Sequence, residues 1–172
     1  MTRSPRPAFR LPTLTAATAR VGLALAGIVV PGTMMAQECP LSAPLTLKDT
    51  QDGFAGPTGV VWTITPDCSF TVAHQIGPKV TEPSRQGRLL PEQQVRLKQL
   101  LARAMVTDMP GHLGTGPLVN ARRITLSYGD EVSVLTLPPG GGNLGELLAA
   151  AGDDATRRLL GLADGLSGMI GS

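Results

Sequence analysis

The sequence has few of the residues and none of the complete motifs on which most enzymes depend. Its 172 residues include two cysteines, two histidines and only five aromatic residues. It contains no HExxH zinc pattern and no GxSxG nucleophile motif. The PPGGGN stretch at 138–143 lacks the Lys-Ser/Thr ending of a phosphate loop, so we interpret it as a flexible connector. We therefore predict no catalytic residue, no cofactor and no enzymatic activity.

The two histidines and two cysteines do not form a recognisable metal site. His74 and His112 are scattered, and neither lies in a recognisable pairing with a nucleophile or a carboxylate. The cysteines lack the close paired spacing of zinc ligands. We expect both histidines at the surface or at a strand edge, and we predict no bound metal.

The N-terminal segment has the order of a secretory signal peptide. Its basic residues are Arg3, Arg6, Arg10 and Arg20. An apolar run follows at 21–30, and Ala36 offers a small residue for cleavage before Gln37. Ten apolar residues are fewer than the roughly 20 of a membrane-spanning helix. We predict a signal peptide over 1–36 and a secreted or periplasmic protein without a stable membrane span. Retention of the segment as an anchor is the less favoured alternative.

Removal of that segment changes the charge balance of the chain. Four of the 15 basic residues leave with it and none of the 13 acidic residues, so 11 basic residues remain. The mature chain is then slightly acidic, and the charge gives no indication of nucleic-acid binding. The remaining 37–172 suit a single exported domain with one modest core.

Cys39 and Cys68 are the only cysteines, and the exported compartment is oxidising. An even number of cysteines in a small exported domain favours one disulfide, with two free thiols as the alternative. The bridge would fasten the proline-rich start of the mature chain, 37–44, to the tip of a hairpin.

Alternating residues predict a first set of strands. A short alternation from Leu45 to Asp49 suggests a strand, and the β-branched and aromatic residues of 60–64 predict a second. A turn at 66–69 leads into a return strand at 70–75. The chain from 77 to 90 contains proline and glycine breakers and should form an exposed connection with a short strand near its end.

A helix is predicted to begin at Pro91, where proline is tolerated at the first helical position. Glu92 favours the positive end of the helix dipole, and Pro110 and Gly111 should end the helix. Its apolar residues gather on one side at spacings of three and four: Val95, Leu97, Leu100, Leu101, Ala104 and Met105.

A second hairpin is predicted further along the chain. Ile124, Leu126 and Tyr128 alternate on one strand, and the chain turns at Gly129 and Asp130. On the return strand the alternating residues are Val132, Val134 and Thr136.

Two helices are expected after this hairpin. Asn143 is a candidate N-cap for a helix over 144–151, and Asp153 or Asp154 for the last helix. Three glycines near the C-terminus lower helical stability, so we expect 165–172 to fray. The order of elements predicts an α+β fold, with an antiparallel sheet built from two β-hairpins and amphipathic helices packed on one face.

Four segments carry a resemblance to a known family. They are GFAG at 53–56, PEQ at 91–93, NARRITLSYGD at 120–130 and the C-terminal leucine-rich helix. Over about 53–163 the chain resembles the emfourin family, small α+β proteins whose named member inhibits thermolysin-type metalloproteases. The export signal, the predicted disulfide and the long 77–90 connection depart from that pattern. The resemblance marks Gly53, Phe54, Ala55 and Gly56 as a candidate partner-binding loop, without assigning an inhibitory residue.

Phe54 has two interpretations. It is either an aromatic anchor presented to a partner or a side chain that fills the core while the glycines permit a turn. We favour the core interpretation, because a chain with five aromatic residues needs them inside. For the same reason we expect Trp62 in the core rather than in a ligand site.

Two functions are carried forward. The first is an exported binding module. Its partner would be a secreted thermolysin-type protease, which it would inhibit, or another exported protein. The alternative is a structural or envelope-associated interaction protein that uses the proline-rich start and the 77–90 connection for docking. An enzyme is the least favoured class, and a fold alone would not choose among them.

Overall fold

A computed structural model describes residues 38–116 and 118–171. The predicted signal peptide, 1–36, and its cleavage site between Ala36 and Gln37 lie outside these residues. No helix in the described ranges combines the length and the apolar character needed to cross a membrane.

Along the described chain, five strands are followed by a helix, and three further strands are followed by two helices. The strands are β1 (Leu45–Gln51), β2 (Thr58–Ile64), β3 (Ser69–Ile76), β4 (Lys79–Val80), β5 (Arg85–Arg88), β6 (His112–Gly114), β7 (Arg122–Tyr128) and β8 (Glu131–Leu137). The α-helices are α1 (Pro91–Ala104), α2 (Leu144–Ala150) and α3 (Asp154–Ile170). This order confirms the predicted α+β class.

The strands form a single sheet in the order β4-β3-β2-β1-β7-β8-β6, and β5 also pairs with β3. All pairings are antiparallel except the short pairing of β6 with β8. The 77–90 connection, predicted as exposed with one short strand, therefore contributes β4 and β5 along the outer edge of β3. The strand β6 was not predicted, because three residues are too few to show an alternation.

The core lies between one face of the sheet and the helices. Leu47 at the centre of β1 stands opposite Trp62 on one side and Leu126 on the other, and all three are buried. These side chains belong to one cluster with buried residues of α1 and α3. Val61 and Ala73 point to the opposite face and do not belong to that cluster, although they are also buried. Trp62 is only 5% exposed, as predicted.

The residues of β8 that enter the core are not the alternating residues identified in the sequence. The sequence pattern indicated Val132, Val134 and Thr136 as the alternating residues of this strand, without fixing which face they occupy. The two-residue turn pairs Tyr128 with Glu131, which places Ser133 opposite Leu126 and Leu135 opposite Ile124. Cross-strand partners point to the same face, so Ser133 and Leu135 are buried and Val132 is half exposed.

The helix α1 ends earlier than its stop signals indicated. Met105 adopts a left-handed conformation and caps the helix, and a 3₁₀ turn follows at Val106–Asp108 before Pro110. The apolar side of α1 is also narrower than predicted. Leu97 and Ala104 are buried, whereas Val95 and Met105 are exposed.

The last helix is longer than predicted. Asp153 is its N-cap, with a side-chain oxygen that accepts a hydrogen bond from the Thr156 amide at 2.8 Å. The segment expected to fray, 165–172, is helical as far as Ile170. Met169 and Ile170 are buried, and the Met169 carbonyl accepts a hydrogen bond from Gln93 of α1 at 3.1 Å. Tertiary packing therefore outweighs the low helical propensity of the glycines.

Candidate functional site

The predicted disulfide is present and lies at one end of the sheet. Cys39 and Cys68 are bonded, with their Cα atoms 5.4 Å apart. Cys68 lies in the turn between β2 and β3, so the bridge fastens the start of the described chain to that hairpin, as the sequence predicted. We call this end of the sheet the disulfide end.

The candidate partner-binding loop lies at the other end. Gly53 to Gly56 connect β1 to β2, whereas Cys68 lies in the next turn along the chain, so the two features are at opposite ends of β2. Phe54 is completely exposed, with a relative accessibility of 110%. The favoured interpretation of Phe54 as a core residue was therefore wrong. The core is filled by leucine, isoleucine and Trp62 instead, and Phe54 is presented to solvent.

Backbone hydrogen bonds hold the exposed loop in place. The Gly56 amide donates to the Gly53 carbonyl at 3.0 Å, and the Gly77 amide of the β3–β4 turn donates to Pro57 at 2.8 Å. On the other side, the Asp52 amide donates to the Ala121 carbonyl at 2.8 Å. The loop is thus fixed to its neighbours on both sides of the hairpin.

Gly56 is required by this arrangement. Its φ angle is +98°, a region that glycine enters without the steric penalty of other residues. A Cβ atom at this position would also lie 3.0 Å from the Gly77 Cα atom. The close approach of the two turns therefore depends on glycine, and GFAG is a structural signature as well as a presented segment.

Further apolar side chains are exposed at the same end of the sheet. We define the loop end by 52–57, the turn at 77–78, 118–121 and 138–143, all of which connect strands or helices there. Besides Phe54, the exposed apolar side chains within these segments or close to them in the chain are Ile76 (62%), Val80 (50%), Leu118 (37%) and Val119 (85%). Sequence reasoning missed these four, because none of them belongs to a periodic apolar pattern. Together with Phe54, these side chains make this end of the sheet the candidate interaction surface.

Two ion pairs stabilise the loop end. Arg122 forms a two-point hydrogen-bonded pair with Asp49 on the core-facing side of the sheet. On the opposite side, Arg123 lies 3.0 Å from the Asp52 carboxylate. The hydrogen bonds that Arg122 donates to Asp49 raise the pKa of Arg122 above its usual value. Arg122 also donates to the carbonyl of Gly142, which holds the 138–143 segment against the sheet.

Neither histidine lies within the segments that define the loop end. His74 is exposed on β3, and its backbone amide donates a hydrogen bond to the Thr81 hydroxyl at 3.1 Å. His112 is exposed on β6 at the other side of the sheet. Within 38–116 and 118–171, no three histidine, cysteine, aspartate or glutamate side chains are close enough to hold a metal ion.

No protein-family model matches the chain, and no curated protein matches it in sequence. The geometry of the loop end is therefore the basis on which a function can be proposed.

Proposed function

We propose that this protein is an exported, non-catalytic binding module that inserts Phe54 into an apolar pocket of a partner protein. The observation that supports the proposal is a completely exposed phenylalanine on a hairpin loop tied to both neighbours. Burial of a phenylalanine side chain contributes about 1.5–3 kcal/mol. Aromatic anchors of this kind, surrounded by weaker contacts, dominate many interfaces.

The fixed backbone of the loop favours tight association. A loop that is already ordered loses little conformational entropy when it binds. Asp52, Gly56 and Pro57 all take part in hydrogen bonds that order it in the free protein. The apolar side chains around Phe54 would exclude water from the contact, as the rim of a typical hot spot does.

We propose a secreted thermolysin-type metalloprotease as the partner. The resemblance of GFAG, PEQ and NARRITLSYGD to the emfourin family is the support for this class of partner. An inhibitor that enters a protease must resist cleavage, and proteases cut mobile exposed loops most readily. The hydrogen bonds on both sides of 53–56 restrain the segment that would enter the protease.

The alternative is a structural or envelope-associated interaction protein. One observation favours it: all four residues of β5 are exposed along the outer edge of the sheet. An exposed edge strand can pair with a strand of another protein. In this case the contact would lie along 85–88 rather than at Phe54.

A protease panel with matched variants tests the proposal. The chain is assayed against secreted thermolysin-type proteases as wild type, Phe54→Ala and Val132→Ala. Val132 is half exposed beside the turn at 129–130, away from the loop end, so it is a control for loss of an exposed apolar side chain. We expect inhibition by wild type and Val132→Ala, and an inhibition constant about 30-fold higher for Phe54→Ala, which corresponds to about 2 kcal/mol.

Two outcomes would contradict the proposal. Equal inhibition by all three proteins would show that Phe54 is not the anchor, and digestion of the wild type without inhibition would exclude the protease partner. The alternative is tested by co-purification from an envelope extract. A stable partner that is retained by Phe54→Ala but lost when Gln86 on β5 is replaced by proline would favour the edge-strand contact.

A further inference from the structure

A cavity of about 320 Å³ opens where the three helices meet. Its floor is apolar and is formed by Leu100 of α1, Leu148 of α2 and Leu162 of α3. Gly161 also lines it, and a Cβ atom at Gly161 would meet only a methyl group of Leu148, at 3.9 Å. The cavity is thus open above the glycine and can accept an aliphatic group.

The rim of the cavity is predominantly positive. Three arginines line it, Arg103, Arg157 and Arg158, against a single acidic residue, Asp154. Arg157 also donates a hydrogen bond to the Ala151 carbonyl at 3.0 Å. Arg103 comes from the last turn of α1, and the other two arginines from the first turns of α3. This charge balance favours an anionic group at the rim.

Arg158 has hydrogen-bonding capacity to spare. Its Nε atom is buried, and among the described residues it makes no hydrogen bond of good geometry. Asp154 Oδ2 lies 3.2 Å from this atom in an ion pair, but the Asp154 side chain is 78% exposed. Because the Asp154 carboxylate is exposed to solvent, its pairing with Arg158 gains little, so another carboxylate can replace that of Asp154. A buried donor without an acceptor is the kind of group that a ligand satisfies.

We infer that this cavity binds a single-chain amphiphile with a carboxylate head group, the chemical class of fatty acids. The aliphatic chain lies on the leucine floor above Gly161, and the carboxylate accepts hydrogen bonds from Arg158 and its neighbours at the rim. A volume near the lower end of ligand pockets suits one aliphatic chain better than the two chains of a phospholipid. The cavity shares no lining residue with the loop end, so this inference does not depend on the proposed function.

Binding of octanoate to the full chain, measured by calorimetry at low salt, tests the inference. The uncharged probe 1-octanol has the same chain length, so the difference between the two affinities measures the contribution of the carboxylate. Gly161→Leu fills the cavity, and Gly168→Leu is its control on the same helix. A Cβ atom at Gly168 would meet only Arg96 Nη2, at 4.0 Å, and Gly168 does not line the cavity.

We expect saturable 1:1 binding of octanoate by wild type and Gly168→Leu within twofold of each other. Gly161→Leu should bind at least tenfold more weakly, Arg158→Gln at least fivefold more weakly, and 1-octanol at least tenfold more weakly than octanoate. No saturable binding, equal affinity of Gly161→Leu and Gly168→Leu, or equal affinity of the two probes would overturn the inference.

A second measurement on the wild type covers the case in which Gly161→Leu does not fold. Octanoate should shift the backbone amide resonances of Ala104, Arg157 and Gly161 in a saturable way. Shifts confined to other parts of the chain would overturn the inference without any variant.

Discussion

Arg122 and Asp49 are joined by two hydrogen bonds across neighbouring strands. Arg122 Nε donates to Asp49 Oδ1 at 2.8 Å, and Nη2 donates to Oδ2 at 2.6 Å. Their side chains are 14% and 15% exposed. Because Arg122 also donates to the Gly142 carbonyl, the pair connects the centre of the sheet to the segment that leads into α2. The position of the loop end therefore depends on this contact.

Replacement of Asp49 by alanine should destabilise the protein by about 3 kcal/mol, because a largely buried guanidinium would lose its carboxylate. The free energy of unfolding is measured by urea denaturation. The Arg123–Asp52 pair provides the control, since these side chains are 45% and 25% exposed. Asp52→Ala should cost no more than about 1 kcal/mol. Equal losses for the two variants would show that burial does not distinguish the pairs.

Loss of the disulfide should cost about 3–4 kcal/mol, as expected from the chain entropy of a loop of about 30 residues. The comparison is between wild type and the double variant Cys39→Ser/Cys68→Ser under oxidising conditions. Mass analysis without reductant should show the wild type two hydrogens lighter than the dithiol form. If both cysteines react with an alkylating agent in the native protein, the bridge is absent.

Much of the fold could be predicted from local patterns. The strand at 60–64, the turn at Cys68 and the start of α1 at Pro91 each carry a strong local signal, and all three are confirmed. The disulfide was predictable because only two cysteines are present and the segment before them resembles an export signal. Such features depend on residue type and spacing alone.

The direction of side chains was less predictable. Whether Ser133 or Val134 enters the core depends on the length of the turn at 129–130, which fixes the register of the hairpin. The loop that carries Phe54 packs against the turn at Gly77, which comes more than 20 residues later in the chain. Sequence composition favoured Phe54 in the core, and no local pattern showed the position of this loop.

The acid stability of the protein should depend on Asp67 in the β2–β3 turn. Its carboxylate accepts hydrogen bonds from the Thr65 hydroxyl and, at 2.7 Å, from the Ser69 hydroxyl, which lower its pKa from 3.8 to about 2. Since the folded pKa is depressed, the contribution is present above pH 3.8 and is lost as the pH falls towards 2. Nuclear magnetic resonance titration of the Asp67 carboxyl measures the pKa directly.

Asp67→Asn is the matching variant for that prediction. It should remove this part of the pH dependence between pH 3.8 and about 2, so its stability falls less steeply than that of wild type. An Asp67 carboxyl that titrates at 3.8 in the folded protein would contradict the hydrogen-bonding explanation.

Two glycines of α3 should respond in opposite ways to replacement by alanine. A Cβ atom at Gly165 would lie 2.5 Å from Leu100 Cδ2 of α1, whereas one at Gly168 would lie 4.0 Å from its nearest neighbour, Arg96 Nη2. Alanine in a helix is favoured over glycine by about 1 kcal/mol, and overpacking of a core costs about 1–3 kcal/mol. Gly168→Ala should therefore raise the free energy of unfolding by up to about 1 kcal/mol. Gly165→Ala should lower it by about 1–2 kcal/mol, since the packing penalty exceeds the gain in helix propensity.

The free energy of unfolding is measured by urea denaturation for the two single variants and for the double variant Gly165→Ala/Leu100→Ala. The double variant separates the contribution of helix propensity from that of packing. The smaller side chain at position 100 removes the methyl groups that the new Cβ would meet, so the two changes should cost less together than the sum of each alone. If Gly165→Ala stabilises the protein as much as Gly168→Ala does, then α1 and α3 are not packed as closely at this point as the contact between Leu100 and Gly165 requires.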